Sequence, residues 1–269
     1  MGGLQTEHPL DLQVMVPFIE SASHGTLPSG ATTTLAPIPA SWWVENWNTE
    51  FDALANRPPV GSAQGFRGIT PNDRVMDAFG SINYPDPFLP TDAGLNAMKG
   101  RIMRGNRPVG FERVERLASA AAQQDTLEAV DRLLPPIRAA IAVFEYMSLP
   151  HVAERINMVR DQVRLQLSYV ERDAPPPDDG APRFVAWWDV FVPDYFEYIS
   201  TVSRTWAHDS LARAAAPFII ARENDEHREM YETVINAVEA LRALIDGMRM
   251  PGHNPGLIPE LEPPAGGSS

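Results

Sequence analysis

Cysteine is absent from this sequence of 269 residues. Without thiols the chain has no disulfides, no thiolate metal ligands and no cysteine nucleophile. The absence does not define the compartment, because a protein of this length can be stable without disulfides whether it is secreted or cytoplasmic.

Lysine is almost absent too, since Lys99 is the single lysine and the other basic residues are arginines. The 22 basic residues are outnumbered by 35 acidic ones, which gives a formal net charge of −13. Nucleic acids and anionic membrane surfaces attract basic patches, so we expect neither as a partner. No apolar run approaches the roughly 18 residues that a membrane helix needs, and we expect no membrane insertion.

Motifs of the common enzyme and cofactor sites are missing as well. The sequence has no Gly-x-Ser-x-Gly elbow, no phosphate loop and no dinucleotide fingerprint. No His-Glu-x-x-His run is present, and the six histidines occur singly. The sequence therefore predicts no bound cofactor and no metal site, and it does not indicate an oligomeric state.

Large apolar side chains are concentrated between Arg183 and Trp206, RFVAWWDVFVPDYFEYISTVSRTW. They recur at steps of three and four residues, the spacing of one face of an α-helix. Each buried aromatic side chain removes roughly 150–250 Å² from water. We predict that this stretch is the central core helix, bent near its middle by Pro193.

The remaining pattern indicates an all-α fold. We predict an irregular helical bundle of three long antiparallel helices, at residues 150–173, 183–208 and 222–247. Shorter N-terminal helices and Pro/Gly-rich loops are expected to pack across it. One helical domain is expected over residues 6–250, followed by a flexible Pro/Gly-rich tail at 251–269.

Capping residues suggest where the shorter helices begin. Thr6 is expected to open a first helix that reaches Ser23, and a second helix is expected from Trp42 to Asn56. Thr70 followed by a proline marks the start of a third, which ends at Gly80. A fourth is expected to begin at Thr91 and to run through residue 104, and others cover 111–123 and the residues up to 147.

Tryptophans are the candidate ligand-binding residues. Exposed indole planes stack on sugar rings or anchor partner proteins. Alternatively, the first three close one end of the bundle and have only a packing role. The candidates are Trp42, Trp43 and Trp47, beside Pro/Gly-rich loops, and Trp187 and Trp188 in the aromatic stretch.

A catalytic alternative uses acidic residues on the same stretch. A carboxyl group held among indole rings favours its protonated form and can act as a general acid. Asp189 and Asp194 are the candidates, with His208 and His227 as further proton carriers. The competing interpretation is that these side chains point to water or cap neighbouring helices.

Several short phrases carry a family resemblance. In order they are TEHPLDLQ, GTLPSG, MDAFGS, LNAMKGR, AVFEYM and WWDVFVPDYFEYI. This succession resembles the helical region that follows the catalytic module in fungal chitinase-like, killer-toxin-like proteins of glycoside hydrolase family 18, over most of residues 6–250. The family's alternating aspartates ending in a glutamate are absent here, so the resemblance implies no chitin hydrolysis. It implies secretion, which the lack of cysteine argues against.

Two functions follow from these observations. The first is a non-catalytic accessory domain of a fungal chitinase-like protein, which binds a cell-wall polysaccharide or a protein partner. The alternative is a helical enzyme without a redox cofactor, a cyclase, isomerase or hydrolase acting on an apolar or cyclic small molecule. A cavity beside two carboxylates would favour the enzyme, whereas a solid core with surface tryptophans would favour the accessory domain. We expect a solid core around residue 190.

Overall fold

The computed structural model describes residues 3–60, 68–124, 128, 132–176, 183–221 and 228–252. The protein is mostly helical, with one two-stranded sheet among these residues, which confirms the all-α prediction. The strands are β1 (Leu4–Glu7) and β2 (Leu89–Asp92). The α-helices are α1 (Met15–His24), α2 (Ala40–Asn46), α3 (Asp52–Ala55), α4 (Pro71–Ala78), α5 (Ala93–Ile102), α6 (Phe111–Gln124), α7 (Pro135–Met147), α8 (Pro150–Asp173), α9 (Phe184–Ala221) and α10 (Arg228–Ile245).

The N-terminus differs from the predicted helix. Thr6 lies in β1, where it pairs with Pro90 of the antiparallel strand β2. Helical structure begins only after Asp11, whose carboxylate accepts a hydrogen bond from Gln13 N at 2.9 Å and starts a short 3₁₀ turn. Helix α1 follows and ends at Gly25, whose φ of +78° suits a residue without a side chain.

The other short helices show which local sequence signals predicted their ends correctly. Thr70 caps α4 as predicted, because its Oγ1 accepts a hydrogen bond from Asp73 N at 3.0 Å. Thr91, however, is part of β2, and Asp92 caps α5 instead. The predicted helix from Trp42 to residue 56 is interrupted, since α2 ends at Asn46 and α3 forms a separate turn.

Helix α9 is longer than predicted and carries much of the core. It continues past residue 208 to Ala221, through both Pro193 and Pro217. Its additional turns continue the apolar face, because Leu211, Ala214 and Phe218 are buried. Burial of this face accounts for a helix that persists despite two missing backbone donors.

The neighbours of α9 change along its length. Helix α8 packs against its first half, where Trp188 Nε1 donates to Arg160 O at 3.2 Å. Helix α10 packs against its second half, where Tyr231 meets Phe218 edge-on with ring centres 5.9 Å apart. Phe18 of α1 contacts Trp188 from the other side, at 5.1 Å between ring centres. The aromatic stretch is therefore at the centre of the core.

Candidate functional site

A cavity of about 500 Å³ lies between α8, α9 and the short segment that follows α10. Trp188, Val192 and Phe196 line it at four-residue steps, which places them on one face of α9. Met250 completes the apolar part of the wall. The volume is within the range of roughly 300–1,000 Å³ that is typical of small-molecule sites.

Hydrogen bonds hold the C-terminal segment against α9. Met250 N donates to Ser200 Oγ at 3.1 Å, and Arg204 Nη1 donates to Met248 O at 3.3 Å. The segment from Met248 to Gly252, which contributes the cavity wall from Arg249 onward, is therefore attached to α9 by side chains of that helix.

The polar part of the cavity centres on a buried ion pair in α8. Arg160 donates to Asp161 Oδ1 from Nε at 3.1 Å and from Nη2 at 2.8 Å. The second carboxylate oxygen, Oδ2, is buried and has no hydrogen-bond partner among the described residues. Leaving a buried acceptor unpaired costs about 1–3 kcal/mol, more when it is charged. Asp161 is thus a polar group whose position the fold alone does not explain.

A second ion pair forms part of the rim. Arg164 binds both oxygens of Asp189, at 2.7 and 2.8 Å, in the bidentate geometry typical of an arginine and a carboxylate. This hydrogen bonding raises the pKa of Arg164, and the negative charge of Asp189 acts in the same direction. Asp189 therefore lines the cavity as the partner of a guanidinium, which occupies both of its oxygens.

The other candidate catalytic residues, as far as the structure describes them, do not line this cavity. Asp194 accepts hydrogen bonds from Ser29 N at 3.1 Å and Ser29 Oγ at 2.5 Å, and so fixes the loop after α1. His208 is exposed on α9 and does not line this cavity. His227 lies outside the described residues. The structure thus brings Asp189 alone to the cavity, of the described members of this set.

The five candidate tryptophans are all buried, and the most accessible, Trp47, is 9% exposed. Trp42 donates to Pro175 O at 2.8 Å, and Trp187 donates to Ala36 O at 2.9 Å. Trp43 packs between Trp42 and Trp47, with ring centres 5.4 and 5.2 Å apart. These rings therefore pack against the apolar helix faces, which is the alternative given for the first three, and they present no exposed indole planes. Trp188 is the member of this set that borders the cavity.

Sequence reasoning missed Asp161 and the cavity itself. The core near residue 190 is packed as expected, since Trp187, Trp188 and Phe191 are at most 1% exposed, but a cavity that was not expected adjoins it at Trp188. A signal was present in α8, where the charged pair Arg160 and Asp161 interrupts the apolar seam between Val159 and Val163. Charged residues are seldom buried without a specific role, so such an interruption identifies a candidate site.

A second cavity, of about 320 Å³, lies between α1 and α9. His24, Arg104 and Tyr198 line it, together with Tyr195, whose hydroxyl donates to Met103 O. Burial raises the pKa of Tyr195. Among the described residues that line this space, no buried side-chain oxygen or nitrogen lacks a partner, so the first cavity is the stronger candidate.

The described part of the chain contains neither a cluster of metal ligands nor a membrane-spanning helix. No group of three or more histidine, aspartate or glutamate side chains there converges as metal ligands would. The described helices include none that combines the length and the apolar character needed to cross a bilayer.

Comparison with protein-family models, with curated proteins and with solved structures gives no significant match to this chain.

Proposed function

We propose that this protein binds a small amphipathic molecule in the cavity between α8, α9 and the segment from Met248 to Gly252. The observation that carries the proposal is the combination of an apolar wall with a buried, unpartnered carboxylate oxygen of Asp161. Ligand sites are commonly apolar cavities in which a few polar groups fix the orientation of the ligand.

The charges around the cavity narrow the class of ligand. Three acidic side chains and three arginines line it, so their formal charges cancel. The acidic residues are Asp161, Asp189 and Glu197, and the arginines are Arg160, Arg164 and Arg249. A balanced lining disfavours ligands of high charge, such as polyphosphates, and favours a ligand with one polar end.

The accessory role expected from the sequence is compatible with this proposal if the cavity, and not a surface of exposed tryptophans, is the binding site. A binding domain of a chitinase-like protein would hold the end of a cell-wall polysaccharide in the cavity, because the indoles are not available as a flat stacking surface. A protein partner would have to insert a side chain there.

We also propose that α8, α9 and α10 form the antiparallel three-helix bundle expected from the sequence, which would enclose the cavity.

An enzyme is the second candidate, and Asp161 is the observation that favours it. One of its oxygens is bound to Arg160 while the other is unpartnered, which is the arrangement of an oriented general base. In this version Asp161 would take a proton from a bound apolar or cyclic substrate.

The proposal is tested by blocking the cavity. An added Cβ at Gly252, which lines the cavity, meets no atom within 4 Å, so the side chain of Gly252→Trp starts in open space at the cavity wall. Gly3→Trp is the matched control, since Gly3 has equally free space and lies outside the cavity. A fragment library is screened by thermal shift against the wild type and both variants.

Fragments that stabilise the wild type and Gly3→Trp but not Gly252→Trp would support the proposal. The same hits in all three proteins, or none in any, would contradict it. Incubating the hits with the wild type and with Asp161→Asn, followed by mass spectrometry, separates the two functions. Turnover by the wild type alone would establish the enzyme.

A further inference from the structure

Two buried oxygen acceptors lie one turn apart on α8. Asn157 Oδ1 and Asp161 Oδ2 are both covered and both lack a hydrogen-bond partner among the described residues. Residues at positions i and i+4 of a helix are neighbours on its surface, with about 5–6 Å between their Cβ atoms. Two unpaired acceptors at this spacing call for a donor that serves both.

A primary ammonium meets this requirement best. It has three N–H donors and no acceptor, so one nitrogen can donate to both oxygens at about 2.9 Å each. A hydroxyl has a single O–H donor and would leave one acceptor unpaired. A carboxylate has no donor and would add a second negative charge beside Asp161.

The arginines around the cavity do not reverse this preference. Arg160 is bound to Asp161, and Arg164 is bound to Asp189, so two of the three guanidinium groups already have a carboxylate partner. The chain as a whole carries a formal charge of −13, which raises the local concentration of cations around it. Trp188 and Phe196 provide aromatic surface for the apolar body of the ligand.

Access to the two oxygens requires a side chain in the wall to move. Both atoms are fully covered, and of the two residues Asp161 lines the cavity whereas Asn157 does not. Met250, an unbranched and flexible side chain on the short C-terminal segment, forms part of the wall. Movement of this side chain would widen the cavity beside Asp161, which also lines it, while the bond from Met250 N to Ser200 Oγ is kept.

From these observations we infer that the ligand is a primary amine with an apolar body, and that its ammonium group donates to Asp161 Oδ2 and Asn157 Oδ1. The inference rests on the proposed binding function and specifies the ligand of that site.

Three probes with the same apolar body test the ligand class on the wild-type protein. They are 4-phenylbutylamine, 4-phenylbutanol and 4-phenylbutyrate, measured by titration calorimetry. The amine is expected to bind at least about tenfold more tightly than the alcohol, because a charged ammonium can donate to both oxygens whereas the hydroxyl leaves one of them unpaired. The carboxylate is expected to bind most weakly. Equal or tighter binding of the alcohol or the carboxylate would overturn the inference.

A pair of charge-matched variants then tests the residue. Asp161→Asn and Asp209→Asn each remove one negative charge, but Asp209 is exposed on α9 and does not line the cavity, so only the first replaces the unpartnered acceptor with an amide. Asp161→Asn is expected to weaken the amine about tenfold or more and to leave the alcohol within about threefold. Asp209→Asn is expected to change amine binding by less than threefold. Equal losses in the two variants would show a general charge effect and overturn the assignment.

The Gly252→Trp variant distinguishes failure of the inferred ligand class, a primary amine, from failure of the proposed binding function. If library fragments bind in a way that Gly252→Trp abolishes but none of the three probes binds, the amine class is wrong and the binding function stands. If no fragment depends on the cavity, both are wrong. Because the probe ranking uses the wild type, a variant that fails to fold does not affect it.

Discussion

Lys99 Nζ lies 2.6 Å from Glu7 Oε2, and their side chains are only 1% and 0% exposed. The same ammonium donates to the backbone carbonyls of His8 and Pro9. Tyr146 donates its hydroxyl to the other oxygen of Glu7, and burial together with this bond raises the pKa of Tyr146. The single lysine of the chain therefore joins the N-terminal segment to α5, and Glu7 extends the network to α7.

Removing the lysine should destabilise the fold strongly. Lys99→Met keeps the length and apolar stem of the side chain but leaves Glu7 as an uncompensated buried charge. We expect a loss of about 3–5 kcal/mol in the free energy of unfolding, measured by urea denaturation. The double variant Glu7→Gln/Lys99→Met should lose less than the sum of the two single changes, because the residues are coupled. A loss below about 1 kcal/mol in Lys99→Met would contradict the buried ion pair.

Two neighbouring tryptophans allow a matched comparison. Trp42 Nε1 donates to Pro175 O at 2.8 Å, whereas Trp43 Nε1 is buried without a partner among the described residues. Phenylalanine removes a similar area at each site, but it breaks a hydrogen bond only at Trp42. Trp42→Phe is expected to cost about 1 kcal/mol more stability than Trp43→Phe, as measured by urea denaturation. A larger cost at Trp43 would contradict the assignment of the hydrogen bond to Trp42 and of an unpaired nitrogen to Trp43.

Local sequence signals were sufficient to predict those helices whose bounds are set by their own apolar repeat and capping residues. Helix α8 runs from Pro150 to Asp173, as its apolar repeat and the proline at its start predict. Thr70 caps α4 because the bond from Asp73 N is made within one turn. Periodicity and capping act over a few residues, so the sequence alone contains them.

Features that depend on distant residues were not predictable in this way. Thr6 becomes part of a strand because its partner Pro90 lies far along the chain, and no local pattern indicates that pairing. The cavity beside Trp188 needs the backbone after α10 to return to α9, which the bond between Met250 and Ser200 fixes. Chain segments that are distant in sequence decide whether an indole is exposed or buried, because they cover it or leave it open. The residue type alone does not predict the outcome.

Arg74 should be intolerant of substitution by lysine. Its side chain is 1% exposed and donates to Leu54 O at 3.0 Å, to Pro58 O at 2.5 Å and to Gln166 Oε1 at 2.8 Å. Burial lowers the pKa of Arg74, which nevertheless holds the segment around α3 against α8. A lysine has no planar fork and cannot reach these separate acceptors together.

We therefore expect Arg74→Lys to lower the free energy of unfolding by about 2–4 kcal/mol, because buried carbonyls lose their donor. Arg104→Lys is the control, since Arg104 is exposed and should change stability by less than about 0.5 kcal/mol. Both are measured by urea denaturation at neutral pH. Similar effects of the two substitutions would contradict the anchoring role of Arg74.

Glu171 should make stability depend on pH. Its Oε2 accepts a hydrogen bond from Val185 N at 3.0 Å in the first turn of α9. Burial raises the pKa of Glu171 above its ordinary value of 4.5, although the backbone bonds act in the opposite direction. Just above pH 4.5 the folded protein therefore binds more protons at this site than the unfolded chain does. The contribution of Glu171 to stability must then fall as the pH rises through this window.

Glu171→Gln removes this titration and keeps a carbonyl oxygen that can accept the bond from Val185. We expect the difference in the free energy of unfolding, variant minus wild type, to increase as the pH is raised from about 4 to 7. Urea denaturation of both proteins across this range measures the difference directly, and other titrating groups cancel because they are common to both. A difference that stays constant, or that decreases with pH, would mean that the hydrogen bonds at the start of α9 outweigh burial at this carboxyl group.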